Sequence, residues 1–178
     1  YLQLIEKALN EEKSSILLVP EISLTPQTVN RFIARFGKDK IAVLHSKLSV
    51  GERYDQWNKI NDGKARIIIG ARSAIFAPVK NLGIIIIDEE HDSSYKSEMS
   101  PRYNAKEVAR YIARQENIPL VLGSATPDLE TFYRAKNDDI VLLELKKRAN
   151  DAVLPKIDIV DLREELAKGN KSMISTRL

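Results

Sequence analysis

Three adjacent carboxylates and a histidine, Asp88-Glu89-Glu90-His91, follow directly on the apolar run Ile84-Ile85-Ile86-Ile87. In phosphoryl-transfer sites the first acid of such a run holds magnesium and the next polarises the attacking water. Asp88 is therefore the candidate Mg2+ ligand and Glu89 the candidate base, with Glu90 and His91 completing the catalytic set. The competing reading makes Asp88 a turn cap, Glu89 and Glu90 solvated charges, and His91 an ordinary polar residue. A buried strand rarely ends in three acids and a histidine by accident, which favours chemistry.

Other segments carry weaker signals of the same kind. Gly123-Ser124-Ala125-Thr126-Pro127 follows the next apolar run, and its hydroxyls Ser124 and Thr126 suit a role coupling nucleotide to nucleic acid. By itself it is also an ordinary strand-to-helix turn. Gly70-Ala71-Arg72-Ser73-Ala74 sets Arg72 and Ser73 among small residues that let a backbone approach, a combination suited to DNA phosphates. The 92–103 loop mixes Tyr95, Lys96, Arg102 and Tyr103 with serines and a proline. Aromatic faces stack bases and cations neutralise phosphates, as in single-strand binders. A solvated charged loop with its tyrosines folded onto the domain fits the same composition.

These residues need elements to position them. Six short Ile/Val/Leu-rich runs, 15–19, 41–44, 66–69, 84–87, 119–122 and 140–145, predict strands buried on both faces. Helical spacing predicts helices over 2–9, 26–36, 50–60, 104–115 and 128–136. Ser49 with Glu52 forms a capping box, and Thr126-Pro127 predicts a capping hydroxyl before an N-terminal proline. The alternation predicts an α/β fold with a mostly parallel sheet and helices on both faces. In such sheets ligands bind beyond the carboxyl ends of the strands. The exits there read Pro20-Glu21, His45-Ser46, Gly70 to Ser73, Asp88 to His91 and Gly123 to Thr126.

Residues 1–148 are expected to form one domain. Lys146-Lys147-Arg148 and Asn150-Asp151 read as the start of a linker, so 149–178, with a strand at 156–160 and a helix near 162–167, forms a connection towards a second domain. The 178 residues are 43% hydrophobic, enough for one good core. Lys plus Arg total 28 against 25 Asp plus Glu, and a net charge of +3 permits a nucleic-acid partner without demonstrating one. No cysteine is present, which excludes a disulfide framework or thiolate zinc site in this chain. No apolar run approaches the roughly 20 residues of a membrane span, so the expectation is a soluble cytoplasmic protein with no membrane partner. The opening Tyr1-Leu2-Gln3-Leu4-Ile5 begins in mid-helix without an initiator Met, which reads as part of a longer chain.

The segments Leu18 to Gln27, His45-Ser46 with Ser49 and Glu52-Arg53, and Ile69 to Pro78 resemble the PriA family of primosomal replication-restart helicases. Asp88 to Lys96, Pro101 to Ala105 and Gly123 to Pro127 continue the pattern in order. The resemblance covers nearly the whole chain. It implies a RecA-like fold of P-loop NTPase type, ATP and Mg2+ as cofactors, and 3′-to-5′ unwinding in replication restart. It assigns Asp88 to magnesium, Glu89 to base catalysis, Glu90 and His91 to the DEEH box, and Ser124 and Thr126 to coupling. Tyr95 to Tyr103 fall in the family's aromatic-rich loop, and Glu21, Arg72, Ser73, Tyr95, Lys96, Arg102 and Tyr103 are the expected DNA contacts. The implied partners are single-stranded and forked DNA, primosome proteins and single-strand binding protein, in the bacterial cytoplasm at the nucleoid. The resemblance also implies that a GxxxxGK[ST] strand and loop precede Tyr1 and that a zinc-binding insertion lies beyond Leu178. The isolated chain is then expected to be inactive. A magnesium phosphohydrolase and a non-catalytic DNA-binding module are the alternatives.

Overall fold

The computed structural model of the chain describes residues 1–146 and 156–177. Five strands, β1 (Ser14–Leu18), β2 (Ile41–Leu44), β3 (Ile67–Gly70), β4 (Leu82–Ile87) and β5 (Leu120–Leu122), form one sheet in the order β2-β3-β1-β4-β5. Every pairing is parallel. The α/β class and the RecA-like doubly covered sheet are as expected.

The apolar runs are continuous because both faces of the sheet are covered. Along β4, Ile85 and Ile87 join Ile16, Leu18 and Ile68 in one core cluster, while Ile84 and Ile86 join Leu17, Ile67 and Ile69 in the other. The first cluster is covered by α3 (Val50–Asn61) and α4 (Ala105–Gln115), and the second by α1 (Leu2–Asn10) and α2 (Pro26–Phe36). Each isoleucine removed fully from water contributes about 1.5–3 kcal/mol, so a charge replacing any of the four would expel the strand.

Local signals set the helix starts. The Ser49 hydroxyl accepts from the Glu52 amide while the Glu52 carboxylate accepts from the Ser49 amide, closing the capping box on α3. Thr25 caps α2 ahead of Pro26. One expectation is corrected: α5 (Leu129–Lys136) starts later than Thr126-Pro127 implies, because Asp128 is its cap and accepts from the Thr131 amide at 2.8 Å.

The chain divides into compact units Tyr1–Ile140 and Val141–Leu178. The expected strands at 140–145 and 156–160 do not form. Val141, Leu143, Ile157 and Ile159 are exposed, and among the described residues neither segment is paired in a ladder. In the second unit Asp161 caps α6 (Leu162–Ala167). Hydrogen bonds from Ser175, Asn170 and Thr176 to Glu165 lower its carboxyl to about 2. The expected linker residues Lys147, Arg148, Asn150 and Asp151 lie outside the described residues. Among the described residues no helix is long and apolar enough to cross a membrane.

Candidate functional site

The register of the sheet aligns the strand ends. Leu18 pairs with both Gly70 and Ile87, Leu44 with Gly70, and Ile87 with Leu122. The segments that follow therefore leave from one edge, bringing Asp88, Ser124 and Arg72 into one neighbourhood. Gly70 is required there, since a Cβ would collide with the Leu44 carbonyl and the Ala74 side chain.

The acidic run turns sharply at the edge. Glu89 takes a left-handed backbone, φ 45°, a conformation uncommon outside glycine and typical of functional turns. The Asp88 amide still donates to the Leu18 carbonyl at 2.9 Å, and the Glu90 amide donates to the Gly123 carbonyl at 3.0 Å. The turn sorts the acids into different environments. Asp88 is half-buried, with Oδ1 accepting from the Tyr1 hydroxyl at 2.6 Å, and the Glu89 side chain stays open to solvent. Burial first, then the Asp88 carboxylate, raises the Tyr1 phenol above its ordinary range. That hydroxyl also lies where a Cβ on Gly123 would sit, so a larger residue there would displace it.

Glu90 differs from its catalytic expectation. It is 1% exposed and its carboxylate is occupied by three internal donors: Lys106 Nζ at 2.9 Å, the Asp128 amide at 2.8 Å and the Thr131 hydroxyl at 3.0 Å. Three of its acceptor positions are thus filled from within the protein, and the side chain links the β4 exit to α4 and to the start of α5. Lys106 also reaches the Asp128 carboxylate. Burial works against the Lys106 charge, but bonds to Asp128 and Glu90 outweigh it and hold the ammonium above its ordinary value. Burial likewise opposes the Asp128 charge, and Lys106 still holds that carboxyl well below its ordinary value. The sequence reading missed Lys106, Asp128 and Thr131. A lysine in the first turn of a helix, where the dipole disfavours cations, was the available signal.

His91 joins the acidic turn to the β5 exit. Its Nδ1 lies 2.7 Å from Ser124 Oγ and 3.7 Å from Glu89 Oε2. Ser124 Oγ also accepts from the Thr126 amide at 3.0 Å, so the serine shapes its own loop while touching the histidine. Thr126 itself is exposed.

The aromatic loop is more ordered than its composition implies. Ser93–Tyr95 makes a 3-10 turn, Lys96 bridges Asn104, and the Ser97 amide donates to the Tyr103 carbonyl at 2.7 Å, closing residues 97–103 into a tight excursion. Tyr95 is corrected from a stacking residue to a core one. It is 1% exposed and its hydroxyl donates to the Asp88 carbonyl at 2.6 Å. Burial first, with the charges of Asp88 and Asp92, raises that phenol far above its usual range.

Arg72 also departs from a free phosphate contact. Its guanidinium donates to the carbonyls of Ser94 and Lys96 and lies 5.5 Å over the Tyr103 ring, which meets Phe76 edge-on at 5.0 Å. It staples the loop to the edge. Ser73, Lys96 and Arg102 remain exposed, with Arg102 Nε donating to the Glu98 carbonyl at 3.2 Å. Glu21 sits on the β1 exit and accepts from the Ser46 amide and hydroxyl.

Among the described residues no group of three or more His, Cys, Asp or Glu side chains is arranged as a metal cage. A lone half-open carboxylate such as Asp88 fits Mg2+, which keeps most of its waters and takes one or two carboxylates plus substrate phosphates. When bound, such an ion would supply positive charge beside the phosphates, and Asp88 is the side chain proposed to hold it.

Residues 1–135 match the family model described as DEAD/DEAH box helicase. The chain is 59% identical over all its 178 residues to "Replication restart protein PriA" of Bacillus subtilis (strain 168). It is 51% identical over 183 aligned positions to the protein of the same name from Synechocystis sp.. In each case it spans 22% of the relative's length. Among solved structures, one of RecG bound to a three-way DNA junction aligns at 23% identity and a TM-score of 0.47, over 71% of this chain and 16% of that one.

Proposed function

The chain belongs to the DEAD/DEAH box helicase family, and from that premise we propose that it is the catalytic-acid portion of an ATP-driven DNA helicase acting in replication restart. The similarity to replication restart proteins over the full length of the chain supports that setting. Family membership favours the helicase over the stand-alone phosphohydrolase. The chain spans 22% of the length of these relatives, and the activity is proposed for the whole protein.

The observation that carries the proposal is the 2.7 Å contact between His91 and Ser124, which joins the acidic turn to the adjacent strand exit. In this reading Asp88 holds Mg2+ and the open carboxylate of Glu89 orients and deprotonates the attacking water. His91 then passes the state of that turn through Ser124 to the loop ending at Thr126. Single-stranded and forked DNA would meet Ser73, Lys96, Arg102 and the accessible edge of Tyr103, while Arg72 and Tyr95 hold the loop in place. Movement in the 3′-to-5′ sense, contacts with primosome proteins and single-strand binding protein, a zinc site elsewhere in the longer protein, and a place at the bacterial nucleoid belong to the same proposal.

Strand displacement by the full-length protein on forked duplexes tests it. Unwinding should require ATP and Mg2+ and should proceed only where a 3′ single-stranded arm is supplied. Displacement without nucleotide, or on 5′ arms alone, contradicts the assignment.

A further inference from the structure

We infer that Lys106 is a positioning residue that carries the state of the 96–104 loop to the Glu89 turn and to the Ser124–Thr126 turn. The inference rests on the helicase reading above and adds a residue to it.

Three motifs meet on one ammonium group. Lys106 lies in the first turn of α4, two residues after Asn104. Asn104 closes the loop through its bridge to Lys96 and caps the helix by accepting from the Lys106 amide at 3.0 Å. A displacement of the loop therefore moves the backbone that carries Lys106. At its other end, Nζ holds Glu90, the residue after Glu89, and Asp128, the cap of α5 two residues after Thr126. The Asp128 amide donates to Glu90 as well, so the two carboxylates move together. With Lys106 and Glu90 buried, solvent screening is weak, and losing one partner leaves an uncompensated buried charge.

The test uses the full-length protein, in which Lys106→Met keeps the stem and removes the charge. Nucleotide KM, single-strand affinity by fluorescence anisotropy, and kcat with and without saturating oligonucleotide are measured for each variant. The expected result is a loss of at least tenfold in DNA stimulation of kcat, with KM and DNA affinity within about twofold of wild type and substantial recovery in Lys106→Arg. A merely structural lysine would not separate stimulation from affinity. Should Lys106→Met fail to fold, the compensated Glu90→Gln/Lys106→Met/Asp128→Asn variant, which leaves no buried charge, is measured instead and is expected to lack stimulation. Normal stimulation in a folded Lys106→Met or compensated variant overturns the inference alone. Wild type without DNA-stimulated turnover overturns both it and the helicase reading.

Discussion

Replacing Tyr95 with phenylalanine separates two readings of the aromatic loop. A stacking residue presents a ring face, and phenylalanine keeps that face. An anchoring residue presents its hydroxyl, which here donates to the Asp88 carbonyl at 2.6 Å from a ring that is 1% exposed. Tyr95→Phe removes that donor and leaves a partly buried carbonyl without its partner, at a cost of about 1–3 kcal/mol. Since 1.4 kcal/mol is a factor of ten, local opening at the end of β4 should become roughly 5- to 150-fold more frequent. Hydrogen exchange with mass spectrometry on the full-length protein reads this in peptides covering residues 84–92, where the Asp88 and Glu90 amides are bonded to Leu18 and Gly123. Faster exchange there with single-strand affinity unchanged is the expected outcome. Unchanged exchange together with weakened affinity refutes the anchoring argument.

Ser124→Ala removes the contact to His91 and the acceptor for the Thr126 amide. Steady-state kinetics of the full-length protein should show DNA-stimulated kcat lowered at least tenfold with nucleotide KM little changed; a proportional rise in KM would mean that Ser124 binds nucleotide. The Lys106–Asp128 pair predicts a flat pH response. Asp128 is held below its ordinary 3.8, so its contribution is complete above that pH and is lost as pH falls through the lower folded value. Lys106 is held above 10.5, so its contribution is complete below that pH and is lost as pH rises through the higher folded value. Exchange around residues 128–131, corrected for intrinsic rates, should give a constant opening free energy from about pH 5 to 9, and a step inside that window contradicts the pairing.

What was legible in the sequence was what local chemistry decides. Four consecutive isoleucines between Gly83 and Asp88 mark a strand buried on both faces, and Ser49 with Glu52 marks a helix start without any tertiary information. The strand exits could be placed on one edge because parallel topology leaves little choice. Residues 140–145 misled for the converse reason, since an apolar run has strand propensity but a strand requires a neighbour to pair with. Neither Glu90 nor Tyr95 betrays its burial in composition. Glu90 is the third of three acids in a row, and only the left-handed turn at Glu89 carries it inward while its neighbour stays open. Tyr95 reads like Tyr103 in a mixed loop, yet the 3-10 turn that it ends drops its ring into the core. Arg72 likewise reads as a free cation until the carbonyls of Ser94 and Lys96 are brought beneath it.

The proposed function makes Glu89 the base of an ATP-hydrolysing site and Asp88 the holder of its magnesium. Glu89→Gln in the full-length protein tests it most directly, because the amide keeps the shape of the side chain and removes only its capacity to accept a proton. ATP affinity, measured by equilibrium binding in the presence of Mg2+, should stay within a few-fold of wild type, and DNA-stimulated turnover should fall by about 10²- to 10⁴-fold. Turnover retained at the wild-type level would show that the water is activated by another group and would overturn the assignment of Glu89.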